Sequence, residues 1–244
     1  MAETSEPREQ RLVGQKRMVA RRRPGLLKAL DRLSPYWGPQ LVVLVAILLQ
    51  LALPDKLTLG PSWLLPSVEA ALLVGLASVS PHPQVRNHPR RRQVAIGLIA
   101  LVSAVNIFSL VLLCNDLFTG GHGASNGRRL IASGAVLWLT NILLFALWYW
   151  ELDRGGPADR EGNVECFPDF QFPQMADAQP YTPKSWKPGL VDYLYLSFTN
   201  ATAFSPTDTM PLTAIAKSLM TAQALTSLVT VGLVVARAVN ILQG

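Results

Sequence analysis

The feature that most constrains this chain is a series of long runs of apolar residues. Five stretches come close to the roughly 20 residues that a helix needs to cross the hydrocarbon core of a bilayer. In each of them apolar residues occupy every face of the predicted helix, unlike the single stripe of a surface helix. The sequence therefore predicts an all-α integral membrane protein with five transmembrane helices. They fall at residues 36–54, 61–80, 93–114, 129–151 and 211–242.

Lysine and arginine residues are concentrated in the segments that flank these runs. Nine lie in residues 1–35, four in 80–92 and four in 152–190, whereas the other connections together carry three. The positive-inside rule places these three segments in the cytoplasm, whereas the six acidic residues and the prolines of 152–190 favour an extracellular position for that connection. We therefore expect a multi-pass protein of the cell membrane with a cytoplasmic N-terminus. Because the basic residues flank apolar runs, they indicate membrane anchoring and argue against a nucleic-acid partner.

The stretch between residues 190 and 242 is interrupted at Ser205-Pro206-Thr207. Residues 190–203 are apolar and aromatic but too short to span a bilayer, and a long apolar helix resumes after Pro211. Non-helical backbone at membrane depth is tolerated only where protein or water covers it. The sequence therefore predicts a re-entrant, pore-type helix before the last span.

This layout resembles the pore module of potassium channels, in which a pore helix, a filter and an inner helix follow one another. Aligned without a gap, Thr202, Asp208 and Pro211 coincide with that family's filter-start threonine, post-filter aspartate and proline. The resemblance implies an outer helix at 129–151 and a filter-like segment between two helices. That segment consists of Thr202, Ala203, Phe204, Ser205, Pro206, Thr207 and Asp208.

The filter-like segment departs from the Gly-Tyr-Gly of potassium channels at Ser205, Pro206 and Thr207. A potassium filter points successive carbonyl groups at the ion, and its glycines supply backbone angles that other residues reach only at a cost. Pro206 fixes its own φ and restricts Ser205 as well. We therefore expect that the carbonyl ladder does not form and that the segment does not select potassium.

The tyrosine-rich stretch DYLYLSFTN at residues 192–200, the filter without glycine and the basic N-terminus carry a second resemblance. In these features the chain is similar to an uncharacterised family of bacterial predicted integral membrane proteins, which is channel-like by sequence and has no defined activity. We divide the chain into a basic cytoplasmic segment (1–35), a three-helix transmembrane segment (36–127) and a pore-like module (128–244).

Several polar side chains fall inside the predicted spans, where ionisable and amide groups are rare and often functional. Glu69 is interpreted as a proton- or cation-binding carboxyl, or as a buried carboxyl hydrogen-bonded to Asn106 or Asn141. The polar groups of the last helix share one face, which indicates either a water-exposed lining or hydrogen bonds between helices. The polar set is Glu69, Asn106, Asn141, Gln223, Thr226, Thr230 and Arg237.

Two further features have alternative interpretations. Asp208 would attract cations at a pore mouth, or it would cap the last helix. The run Trp148-Tyr149-Trp150 is typical of an aromatic belt at the membrane interface. The aromatic residues of the long connection 152–190 predict that it folds back against the rest of the protein.

No phosphate-binding glycine loop, zinc pair or nucleophile motif occurs in the sequence, so we expect no enzyme activity, cofactor or metal. The pattern predicts an ion channel or a channel-derived subunit that is not selective for potassium and that passes a monovalent ion. The resemblance implies a homo-oligomer in the lipid bilayer, a tetramer by analogy. The alternatives are a non-conducting membrane scaffold and a proton-coupled carrier that uses Glu69. A polar face of the last helix turned toward symmetry copies favours the channel, and the same face packed inside one protomer favours the scaffold.

Overall fold

The computed structural model describes residues 37–54, 89–118, 124–161, 167–175, 186–202 and 208–242, with the isolated positions 57, 67, 70, 71 and 74. In these residues there are two short 3-10 helices, Asp153–Gly155 and Pro173–Met175. Two strands of two residues, β1 (Phe170–Gln171) and β2 (Met210–Pro211), form an antiparallel pair. The rest of the regular structure is helical. The α-helices are α1 (Trp37–Leu51), α2 (Pro89–Phe118), α3 (Ala124–Leu152), α4 (Pro157–Glu161), α5 (Leu190–Thr202) and α6 (Ala214–Leu242).

Three helices are long and apolar enough to cross a membrane, which agrees with the predicted membrane class. They cover Arg92–Asp116, Arg129–Gly155 and Ala214–Val239, and the apolar part of α1, Gly38–Leu51, is shorter. These four elements coincide with four of the five predicted runs. The fifth run, 61–80, lies outside the described residues except for a few isolated positions, and Glu69 is among the residues not described.

The central element of the bundle is α3, which contacts α1, α2, α5 and α6. Leu144 and Leu147 of α3 pack in one apolar cluster with side chains of α1 and α2. Tyr149 of α3 packs in another cluster with Tyr193 of α5 and Ala216 of α6. Hence α3 lies between the helices α1 and α2 on one side and α5 and α6 on the other, and it contacts all four.

Contacts near residue 153 fix the directions of the helices. Arg92, at the start of α2, donates a hydrogen bond of 3.3 Å to the carbonyl oxygen of Glu151, at the end of α3. The side chain of Leu190, at the start of α5, lies beside Gly38, at the start of α1. Because α6 starts near the same cluster as α5, four helices begin where α3 ends. We call this end of the bundle the loop end.

Local capping interactions explain where α5 and α6 begin. A carboxylate oxygen of Asp192 accepts a hydrogen bond of 2.7 Å from the backbone N–H of Gly189, as the third residue of a capping box does. The hydroxyl of Thr213 accepts a hydrogen bond of 3.2 Å from the N–H of Ala216, which makes Thr213 the N-cap of α6. The capping role suggested for Asp208 therefore belongs to Thr213, and Asp208 lies exposed ahead of the helix.

The end of α3 depends on a turn with three positive φ angles. Arg154, Gly155 and Gly156 have φ values of 53°, 77° and 103°. This left-handed region is open to glycine and costs other residues conformational energy. The turn ends the long apolar helix and carries the chain into α4 at Pro157, a residue that is well suited to the first turn of a helix.

Candidate functional site

Two helices of the pore-like module, α5 and α6, pack together along α3. The hydroxyl of Ser197 in α5 donates a hydrogen bond of 2.6 Å to the carbonyl oxygen of Ile142 in α3. In the last turn of α5, the carbonyl oxygen of Ala201 accepts a hydrogen bond of 2.5 Å from Ser227 of α6. The indole of Trp138 donates to the same Ser227 hydroxyl at 2.7 Å. Thus α5 ends at the level of Trp138, well inside the length of α3.

The side chain of Gln223 is the centre of a polar network between α3, α5 and α6. Its carbonyl oxygen accepts hydrogen bonds from Tyr149 (2.5 Å) and Asn200 (2.8 Å). Its amide nitrogen donates to the hydroxyl (2.6 Å) and the backbone carbonyl (2.9 Å) of Ser197. Gln223 is fully buried, so these four bonds replace the hydrogen bonds that it would make to water.

The predicted polar face of α6 lies largely inside the protomer. Gln223 and Thr230 are buried, and Thr230 donates a hydrogen bond of 2.7 Å to the backbone carbonyl of Thr226. Thr226 is half-buried and donates to Ala222, whereas Arg237 is half-buried with an Nε atom that has no hydrogen-bond partner in the described part of the chain. From residue 222 onward the exposed residues of α6 are apolar and include Leu225, Leu228, Val229, Val231, Val235 and Val239.

A second polar group, the carboxylate cluster, ties the helices together at the loop end. Asp153, which follows α3 and is fully buried, accepts hydrogen bonds from the Tyr193 hydroxyl (2.5 Å) and the Asp169 N–H (2.8 Å). Asp169 in turn accepts from the Thr213 hydroxyl (2.7 Å) and the Arg154 N–H (3.0 Å). Two carboxylates therefore join the end of α3, the long connection, α5 and the N-cap of α6.

Arg160 of α4 provides a positive charge next to the carboxylate cluster. Its guanidinium donates hydrogen bonds to the carbonyl oxygens of Trp150 (2.6 Å) and Asp153 (2.8 Å). The same group lies over the rings of Trp150 and Tyr193, 4.4 and 5.2 Å from their centroids. It thus caps the carbonyl end of α3, where a positive charge is favourable, and offsets the buried charge of Asp153.

The Tyr193 hydroxyl is kept protonated by its surroundings. Burial raises the pKa of the phenol, the Arg160 guanidinium opposes that rise, and the Asp153 carboxylate adds to it. A neutral phenol is a hydrogen-bond donor, which is the role that the contact with Asp153 requires.

Two aromatic residues of the long connection, Phe170 and Phe172, pack into this end of the protein as predicted, whereas Phe167 is exposed. Phe170 and Phe172 are buried, with ring centroids 6.5 and 5.4 Å from that of Tyr193.

The expected aromatic belt is wrong for Tyr149 and Trp150, because both are buried inside the protein. The Tyr149 hydroxyl bonds to Gln223 of α6, and the Trp150 ring packs against Tyr193 of α5 and Arg160 of α4.

Of the filter-like segment, Thr202 and Asp208 are described and residues 203–207 are not. The Thr202 hydroxyl donates a hydrogen bond of 2.9 Å to the carbonyl of Thr199. Two residues after Asp208, Met210 begins β2, which pairs with β1 at the loop end. The chain therefore leaves α5 deep in the bundle and is back at the loop end by residue 210.

The remaining predicted residues lie apart from this site. Asn106 and Asn141 are buried in α2 and α3, and neither Oδ1 of Asn106 nor Nδ2 of Asn141 has a hydrogen-bond partner among the described residues. No group of three or more histidine, cysteine, aspartate or glutamate side chains that could hold a metal occurs in the described ranges.

Sequence reasoning did not identify Tyr149, Asp153, Asp169 or Thr213 as site residues. The signal for Thr213 was present, since threonine directly before an apolar helical run is a good N-cap. Asp153 and Asp169 looked like ordinary charges of the long connection. Their partners Tyr193 and Thr213 lie about 40 residues away in sequence, and no local pattern reveals such contacts. In comparisons with known proteins, the chain matches no family model, no curated protein and no solved structure.

Proposed function

We propose that this chain is a multi-pass membrane protein in which α5 and the segment that follows it form a re-entrant hairpin beside the last span, α6, and that it acts as a non-conducting scaffold. One observation carries the proposal. Gln223, Ser227 and Thr230, the buried polar residues of α6, use their hydrogen-bonding groups within one protomer. Because these polar groups already bond within the protomer, α6 turns its apolar face to the outside. A pore lined by that face would not stabilise a permeating ion, since an apolar surface offers it no ligands.

The course of the chain around α5 supports a re-entrant hairpin. Both α5 and α6 begin at the loop end, and α5 ends beside Ser227 and Trp138. A helix of 13 residues is about 20 Å long at 1.5 Å per residue, which is less than the hydrocarbon core of a bilayer. In its second half, α5 bonds to α3 and α6, and these neighbours shield its backbone from lipid, as backbone at membrane depth requires.

The directions of α1 and α2 support the five-span count. Two neighbouring helices that begin at the same end of a bundle need an odd number of passages between them, and the predicted span at 61–80 would supply one. The segments 1–35, 80–92 and 152–190, which carry most of the lysine and arginine residues, then belong to the loop end. The positive-inside rule assigns that end to the cytoplasm. In this arrangement the hairpin enters from the cytoplasmic side, opposite to the potassium channels that it resembles.

The second candidate is an ion channel formed by several copies, as the potassium-channel resemblance implies. It is favoured by the exposure of α6, of which 17% is buried, against 44% and 56% for the other two long apolar helices. Copies that met at this face, four by analogy, would surround a pathway for a monovalent ion. The carrier alternative rests on Glu69, which lies outside the described residues.

Flux measurements on purified protein in liposomes separate these functions. The protein is reconstituted as a verified oligomer, and sodium, potassium, chloride and proton movements are followed under imposed gradients. The scaffold predicts no flux above that of empty liposomes, and an ionophore added at the end of each run shows that the vesicles were sealed. Ion flux that depends on the protein would contradict the scaffold and support the channel.

A further inference from the structure

A layer of buried polar residues lies among α1, α2 and α3, between two apolar clusters. Toward the loop end, Ile47, Val102 and Leu144 belong to one cluster of α1, α2 and α3. Farther from the loop end is a second cluster. It includes Leu53, just after α1, Leu110 of α2 and Leu137 of α3. Between the two clusters each helix contributes buried polar side chains. The polar layer is Gln50, Asn106, Ser109, Thr140 and Asn141, with 6%, 4%, 3%, 0% and 3% of their surfaces exposed.

Helical periodicity turns these polar side chains toward the same interior. Gln50 follows Ile47 by three residues and Val43 by seven, and both of those residues are in the first cluster. Residues three, four or seven apart lie on one face of a helix, so Gln50 faces α2 and α3. By the same rule Asn106 shares the face of Val102, four residues before it.

The register between α2 and α3 brings the amides of these helices to within about one turn of each other. The indole of Trp148 in α3 donates a hydrogen bond of 3.1 Å to Ser103 in α2, which fixes the two antiparallel helices relative to each other. Toward the second cluster from this contact, Asn106 lies about one turn along α2 and Asn141 about two turns along α3. The polar layer therefore lies near the middle of the two long helices.

Hydrogen-bonding atoms in the layer lack partners within the described protein. Acceptor oxygens and donor nitrogens are both present among them, and Thr140 contributes a hydroxyl, which can do both. The network around Gln223 is different, because there each amide atom meets protein groups. The unpartnered atoms are Nε2 and Oε1 of Gln50, Oδ1 of Asn106, Oγ1 of Thr140 and Nδ2 of Asn141.

We propose that the polar layer is an internal water-binding site. A buried polar group without a hydrogen bond is costly, and native proteins satisfy such groups with protein or with ordered water. A bound cation would satisfy the oxygens alone and an anion the amide nitrogens alone. Water both donates and accepts, so it matches the mixed set of Gln50, Asn106 and Asn141.

The inference goes beyond the proposed scaffold, because it concerns a different part of the protein. The polar layer belongs to α1, α2 and α3, whereas the network around Gln223 joins α3, α5 and α6. A polar molecule or proton that reached this layer would find hydrogen-bonding partners at Gln50, Asn106 and Asn141.

Water-edited solid-state NMR of the protein in lipid vesicles tests the site. Protein with 15N-labelled asparagine and glutamine is assigned sequentially, and the rate at which water magnetisation reaches each side-chain amide is measured. The amides of Asn106 and Asn141 should gain signal several-fold faster than that of Gln223, which is equally buried but bonded to protein groups. Equal, slow build-up at Asn106, Asn141 and Gln223 would overturn the proposal.

A salt series distinguishes water from a cation as the guest. The same spectra are recorded in sodium, potassium and choline chloride at matched ionic strength. Water as the guest predicts Asn106 and Gln50 signals that do not change with the cation. A saturable shift of these signals with sodium or potassium, absent in choline, would replace water by a monovalent cation and overturn the proposal. The outcome is independent of the liposome flux result, because it does not involve α5 or α6.

Discussion

The hydroxyl of Tyr193, in the first turn of α5, donates a hydrogen bond of 2.5 Å to the carboxylate of Asp153, directly after α3. Both residues are fully buried. Asp153 also accepts from the N–H of Asp169, and Asp169 holds the N-cap residue of α6. One short contact therefore joins the start of the proposed re-entrant helix to the elements on either side of it.

Replacement of Tyr193 by phenylalanine should destabilise the protein. The substitution keeps the ring and removes the donor to a buried carboxylate, and leaving such a group unsatisfied costs about 1–3 kcal/mol. For a protein of this size about 1 kcal/mol corresponds to a fall in Tm of about 2–4 °C. Thermal unfolding in detergent measures the change. Tyr195→Phe is the matched control, because Tyr195 is 60% exposed on the same helix, and an equal Tm for both variants would contradict the role of the contact.

Thr213→Val should destabilise the start of α6. The variant keeps the shape of the side chain but loses the bond to Asp169 and the cap on the Ala216 N–H, and loss of an N-cap costs about 0.5–2 kcal/mol. Hydrogen exchange should show faster exchange in the first turn of α6, together with a lower Tm. Thr221→Val serves as the control, since the Thr221 hydroxyl is exposed and bonds only to Lys217 within its own helix. Unchanged exchange at Ala216 in the Thr213 variant would argue against the cap.

The parts of the fold that sequence predicts are those that depend on local composition. An apolar run of membrane length and a proline-containing break can be located without tertiary contacts. The helix predicted at 190–203 is observed at Leu190–Thr202, and the run at 129–151 lies within α3. The last helix was predicted from residue 211 and begins at Ala214, because Thr213 is its N-cap.

The parts that sequence does not predict depend on which face of a helix meets protein and which meets lipid. Both surroundings are apolar, so hydropathy does not distinguish them. Trp148, Tyr149 and Trp150 point in three directions around α3, and sequence reasoning assigned all of them to the membrane interface. Only the packing of α5 and α6 shows that Tyr149 belongs to the interior, where its hydroxyl meets Gln223.

Gln223→Leu separates a structural role of α6 from a pore-lining role. The substitution removes the acceptor of the buried Tyr149 hydroxyl, whereas Asn200 and Ser197 keep their bonds to backbone carbonyls of α6 and α3. Because one unsatisfied buried group costs about 1–3 kcal/mol, we expect a loss of stability of about that size. Thermal unfolding and the oligomeric state are measured for Gln223→Leu and for the control Thr226→Val, whose hydroxyl bonds only within α6. A Gln223→Leu protein of normal stability with altered ion flux would show that the side chain faces a pathway.

The side of the membrane at which the hairpin enters can be measured with single cysteines. Gln174 is exposed at the loop end, and Arg129 is exposed near the opposite end of α3. With Cys114 and Cys166 replaced by serine, Gln174→Cys and Arg129→Cys are each treated in intact cells with a membrane-impermeant maleimide. The placement of basic residues predicts labelling at position 129 and protection at position 174 until the membrane is permeabilised. The reverse pattern would put the loop end outside, so that the hairpin enters from the same side as in potassium channels and the three basic segments face away from the cytoplasm.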